Sequence, residues 1–230
     1  MTGTHGGATS DRGAGARLLM IEAAERLFAE RGINGVSLRE IGAQAGQRNT
    51  AAARYHFGSK ETLVDAVFHH RMESINARRL AMLDELADAG REGDARGLVQ
   101  AFLYPLAAML GEPGKPSWYL RFCVHAGYIE GTAVRDLARE EWTRGIHTVR
   151  GLLLDLLVDV PTRIREQRWV LLTSFLTHTL ADREMAIQHP GSRPPSDHDA
   201  YLAELTDVAV AMFLAPVSTE TRAALSQRVR

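Results

Sequence analysis

The feature that most constrains this chain is the rapid succession of helix stops and starts between residues 32 and 60. Upstream, residues 16–31 read ARLLMIEAAERLFAER. Met20, Ala24, Leu27 and Phe28 fall on one helical stripe, with Glu22, Glu25 and Arg26 off it. Gly32 stands where a left-handed cap is wanted. Ser37 then opens SLRE, a capping box: its hydroxyl can accept from the third backbone N–H of the helix while Glu40 reaches back. The helix so started, LREIGAQA, is short and ends before Gly46. QRNT turns the chain, and AAARYHF supplies about two more helical turns. Gly58-Ser59 breaks the helix again, and Ser59 can cap the long segment KETLVDAVFHHRMESINARRLAMLDELA. There Leu63, Val67, Ile75, Leu83 and Leu86 keep helical spacing.

The remainder continues in the same period. Helical patterns cover 96–110, 117–129, 132–158 and 162–188, with a final apolar helix over 199–214. GEPGKPS and HPGSRPPSDHD read as loops. The predicted fold is all-α, with an N-terminal three-helix helix-turn-helix unit over 15–74 and a larger helical bundle over 75–230. Hydrophobic residues make up 45% and charged residues 24%, an ordinary globular balance. No run of about 18 uncharged apolar residues suggests a membrane span. The segment MTGTHGGATSDRGAGA lacks a signal core, and its composition predicts a disordered tail over 1–14. A single cysteine, Cys123, rules out an internal disulfide or a Cys-rich zinc site. A cytoplasmic setting is expected.

The net charge is only −1, so any attraction for a polyanion must be local. Residues 37–60 offer such a locus. A capped short helix, a tight turn and a second short helix form the layout in which the second helix enters the major groove. That groove is about 12 Å wide, so the approaching face cannot be uniformly bulky. Ala51, Ala52 and Ala53 meet that condition, and an alanine methyl can pack on a thymine methyl. Arg48 and Arg54 can reach base edges or phosphates. Asn49 and Thr50 lie at the N-terminal end of the second helix, where base contacts concentrate. Tyr55, His56 and Lys60 are donors of the kind that hold phosphates and set register. Each residue alone is ordinary helix surface; the ordered set is what carries the reading.

The stretch 17–68 resembles the DNA-binding domain of the TetR family of transcriptional regulators. The matching runs are AAERLFAERGINGVSLREIGAQAG and YHFGSKETLVDAV. The resemblance implies that Tyr55, His56 and Lys60 touch phosphates, that Ser37 lies in the DNA-facing set, and that Phe57 packs inside. Two departures stand out. Nine residues, QRNTAAARY, separate the Ala-Gly and His-Phe landmarks where eight are usual, and the extra one is placed at Gln47 to Asn49. This longer AGQRN…YHFGS form is similar to a known subgroup. Ala53 also stands where a larger apolar residue is usual, which would let the second helix sit closer to the one behind it.

The resemblance further implies a C-terminal domain for effector binding and dimerisation, with the last two helices, 162–188 and 199–214, forming a four-helix bundle between two copies. Their apolar faces include Trp169, Leu172, Phe175, Leu176 and Leu180, and Leu202, Leu205, Val208, Met212 and Phe213. Trp118, Phe122, Cys123, His125 and Tyr128 cluster in SWYLRFCVHAGYIEG and, with Trp142 and His178, are the candidate pocket for a small apolar or amphipathic effector; an aromatic-rich core would read the same way. His69 and His70 are adjacent and diverge on a helix, a poor metal pair. No zinc-protease, nucleophile-elbow or phosphate-loop pattern occurs, so neither a metal, nor a cofactor, nor catalysis is expected. The expected function is a sequence-specific, ligand-responsive repressor that binds a palindromic operator as a homodimer. An effector-independent DNA binder and, further off, an all-α enzyme are the alternatives.

Overall fold

The computed structural model describes residues 7–49, 51–112, 115–127, 143–189 and 197–227. Ten α-helices and no β-strand occur among the described residues. They are α1 (Gly7–Arg31), α2 (Leu38–Gln44), α3 (Ala52–Phe57), α4 (Lys60–Asp88), α5 (Ala95–Ala107), α6 (Tyr119–His125), α7 (Arg144–Asp155), α8 (Thr162–Gln188), α9 (His198–Leu214) and α10 (Thr219–Gln227).

α1 starts at Gly7, inside the expected 1–14 tail. Ala14, Ala16 and Arg17 are strong helix formers and work against the helix-weakening Gly13 and Gly15. Glu25, expected off the apolar stripe, is only 2% exposed. Its carboxylate accepts two bonds from Arg71 of α4, at 2.7 and 3.0 Å, and this fork is what makes its burial tolerable. Gly32 ends α1 with φ 74°, its N–H donating to the Phe28 carbonyl.

Both expected caps form. The Ser37 hydroxyl accepts from Glu40 N–H at 3.3 Å, and the Ser37 N–H donates to Glu40 Oε2 at 2.8 Å. Ser59 Oγ accepts from Thr62 N–H at 3.2 Å. α4 then runs for 29 residues, about 43 Å at 1.5 Å per residue. Its first half packs on α1 and its later turns on α5 and α7. Phe122 of α6 joins the units: its ring lies 6.1 Å from Phe28 of α1 and 4.8 Å from Phe68 of α4.

In α5, Pro105 lacks the N–H that Ala101 would otherwise receive. Arg79 of α4 supplies it, donating from Nε to Ala101 O at 3.3 Å and from Nη2 to Phe102 O at 3.4 Å, while its side chain is almost wholly buried.

α5 begins one residue before the segment expected over 96–110 and ends three residues short of it, and α6 covers the middle of the one expected over 117–129, whose last two residues lie outside the described residues. α7 occupies 144–155 of the helix expected over 132–158, whose first part lies outside the described residues. α10 has no counterpart in the sequence pattern, because TETRAALSQ is short and mostly polar. Among the described residues no single helix is long and apolar enough to cross a membrane, and α9 and α10 reach that length only as a pair bent by 53°.

Candidate nucleic-acid interface

α2 and α3 rest against α1, and their two faces differ in character. Ile41 and Ala53 are fully buried, and Phe57 nearly so with the Arg17 guanidinium 5.1 Å from its ring centre. The three alanines therefore divide. Ala53 belongs to the packed face, as its small size allows, whereas Ala51 is exposed and Ala52, half-buried, packs at the edge of the core. Arg54 and Tyr55 project outward, and Tyr55 is 86% exposed although a ring that size usually finds shelter. His56 is half-buried and meets Tyr55 edge-on at 5.4 Å.

Arg48 and Asn49 are exposed in the turn. Asn49 also acts on its own neighbours. Its side-chain carbonyl accepts from Ala51 N–H at 3.0 Å and its backbone carbonyl from Ala52 N–H at 3.0 Å. It thus starts α3, leaving its amide N–H groups for an outside partner. Thr50 lies outside the described residues. Lys60 is half-buried, and its Nζ donates to the Ile33 carbonyl at 3.0 Å, tying α4 to the loop after α1. An ammonium has three donors, so this bond does not exhaust it.

Ser37, Arg54 and Lys60 line one open cleft of about 660 Å³ with Asn34, Arg39 and Ala51. Arg39 was not among the sequence candidates. It is exposed, and its position inside SLRE, beside the Ser37 cap, was the available signal. Glu40, a carboxylate lining that cleft, is engaged with Ser37 and Arg31, so Arg39, Arg48 and Arg54 leave this surface locally cationic on a chain of net charge −1. A short helix with a low alanine face, flanked by guanidinium and phenol groups, suits a groove walled by phosphates.

Residues 20–67 match the family model described as bacterial regulatory proteins, tetR family. This is a TetR-family DNA-binding domain. The chain accordingly carries the DNA-binding domain of a transcriptional regulator. Its fold is similar to that of a transcriptional regulator from Rhodococcus sp. Rha1, at 23% identity over 86% of this chain and 95% of that one, with a TM-score of 0.51. A TetR-family protein from Mesorhizobium loti aligns at 22% identity over 89% and 97% of the two chains, with a TM-score of 0.47. Among curated proteins none matches the chain.

The TetR-like domain meets the rest of the chain at a second concavity. A cleft of about 460 Å³ opens between α1, α6 and α8, lined by Glu30, Trp118, Arg121, His125, His178 and Asp182 among others. It gathers three of the predicted pocket residues, Trp118, His125 and His178. Phe122 and Cys123 are corrections: they are 0% and 1% exposed and point into the core. The reason is the rotation of α6, which buries 119, 122 and 123 together and leaves 118, 121 and 125 on the cleft side. Burial pushes the Cys123 thiol well above its ordinary value, so it stays neutral. Tyr128 and Trp142 lie outside the described residues. Arg121 and Asp182, which the sequence pattern did not single out, complete the lining. Among the described residues no three His, Cys, Asp or Glu side chains are grouped so as to hold a metal ion.

Proposed function

We propose that this regulator binds a palindromic operator as a homodimer and represses until a small amphipathic effector lowers its affinity. The observation that carries the reading is the division of α3, with Ala53 and Phe57 buried and Ala51, Arg54 and Tyr55 presented outward. In this reading Arg54 reads base edges, Ala51 and Ala52 allow close approach, and Thr50 and Asn49 sit at the groove end of the helix. Ser37, Arg48, Tyr55, His56 and Lys60 hold phosphates. One short helix covers few base pairs, and two half-sites related by two-fold symmetry compound its specificity.

The dimer surface is assigned to α8 and α9. Leu172, Leu176, Leu180, Leu202, Leu205 and Phe213 fill the protein's own core. Val170, Leu171, Val208 and Leu214 are each more than 40% exposed, and these are the apolar residues a second copy would cover. The effector is assigned to the cleft between α1, α6 and α8, where one aromatic ring and several imidazole and carboxylate groups converge. Its occupant can release DNA only by as much as it prefers the non-binding arrangement. A cytoplasmic location accords with a DNA ligand.

The test is selection of bound sequences from a random duplex pool by the full chain, with sedimentation to fix its assembly. An inverted repeat with half-sites about one helical turn apart and a dimeric protein are expected. A monomer retaining an unrelated set of sequences would overturn the reading.

A further inference from the structure

α6 occupies a special place. It packs extensively on α1 of the DNA-binding domain and equally on α8, the helix assigned to dimerisation. Its own first turn is uncapped, since Trp118 at the N-cap offers no side-chain bond. The orphan N–H groups of that turn need an acceptor. They find it on α8. Glu184, with 0% of its surface exposed, accepts from Leu120 N–H through Oε1 and from Arg121 N–H through Oε2, each at 3.2 Å. The same Oε2 accepts from Arg121 Nε at 3.2 Å. One turn on, Gln188 accepts from the Arg121 guanidinium and donates to the Ser117 carbonyl.

We infer that Glu184 is the positioning residue that couples α8 to the DNA-binding domain: it clamps the start of α6, and through α6 sets where α1 sits. A buried carboxylate that loses its donors is costly, so the clamp has a definite closed state rather than a graded one. α6 passes this on through Phe122, whose ring contacts Phe28 of α1. Arg121 and Trp118 also line the cleft between α1, α6 and α8, with the guanidinium 4.6 Å from the indole centre. A molecule in that cleft therefore touches the clamp itself. This inference rests on the proposed regulatory reading for its purpose, while the coupling can be tested without DNA.

The experiment is amide hydrogen exchange on the full chain, wild type against Glu184→Gln, together with titration of selected operator DNA. The glutamine keeps one acceptor oxygen and turns an NH2 toward the N–H groups. Leu180→Ala, which thins the core one turn earlier without touching the clamp, controls for lost stability. In Glu184→Gln, exchange is expected to quicken about tenfold at 119–125 and also at 27–29 of α1, with operator affinity falling about tenfold, the size of one charge-assisted hydrogen bond. Leu180→Ala should quicken exchange across the core as a whole, without singling out 119–125 and 27–29, and leave the affinity near wild type. Faster exchange confined to α6, or the same pattern in both variants, overturns the coupling. If Glu184→Gln does not fold, Gln188→Ala must show the same two-segment pattern at smaller size. A wild type that selects no operator sinks the repressor reading alone, because the exchange result still decides the clamp.

Discussion

α2 and α6 are both seven-residue helices, and they are started in opposite ways. α2 is capped by Ser37 and Glu40, three positions apart. α6 is capped by a carboxylate 64 positions away from Leu120. The first helix is held by its own sequence and can present a stable outer surface to DNA. The second exists only where another helix meets it, so its position reports on that helix. α2 is suited to holding the DNA-facing surface beside α3, and α6 to transmission.

The largest expected effect breaks the transmitting side. Phe122→Ala removes a fully buried ring shared by α1, α4 and α6 and should cost about 3–5 kcal/mol, read as a lower denaturant midpoint. A loss under about 1 kcal/mol would mean that the site collapses around the gap and that Phe122 does not join the two units.

The recognition side should respond in DNA binding with little change in folding. Arg54→Ala is expected to change base preference and cost about 1–3 kcal/mol on the preferred site, with the midpoint within about 0.5 kcal/mol of wild type. Lys60→Ala should weaken binding to all sequences alike and lower the salt slope by about one. If the slope is unmoved, the Lys60 ammonium is committed to Ile33 alone.

These contrasts explain what could be read in advance. Ser37, Gly46, Gly58 and Ser59 act within a few residues of themselves, so the bounds of α2 and α3 and the start of α4 were legible, as was the all-α fold, while the start of α1 was not. The outward pair Arg54 and Tyr55 was legible for the same reason: it lies on a helix whose packed face, Ala53 and Phe57, is defined locally. The rotation of α6 was not. Trp118, Phe122 and His125 fit one helical face by spacing, and only contact with Phe28, Phe68 and Glu184 separates Phe122 from the other two. Glu25 and Arg79 were hidden likewise, because a charged residue reads as solvent-facing until its partner, Arg71 or the carbonyl freed by Pro105, is brought beside it.

Smaller effects sharpen the comparison. Ser37→Ala should cost about 1 kcal/mol and loosen α2 while leaving exchange in α6 unchanged. Its pH dependence has a definite sign. The Ser37 hydroxyl and then its N–H, with Arg31 adding, hold the Glu40 carboxyl below its ordinary value. Its contribution is therefore complete above the ordinary carboxylate range and is lost as pH falls through the lowered folded value. The gap between the denaturant midpoints of wild type and Ser37→Ala should narrow in acid to what the Glu40 N–H to Ser37 Oγ bond leaves, and widen near neutrality. A gap that is constant across that range would show that Glu40 does not close the box.

The most direct test of recognition through the outer face of α3 is to compare the duplexes retained from one random pool by the wild-type chain and by Arg54→Ala. Recognition through this face predicts an inverted repeat for the wild type and, for the variant, the same spacing with relaxed preference at matching positions in both half-sites. Identical preferences for the two proteins would contradict it.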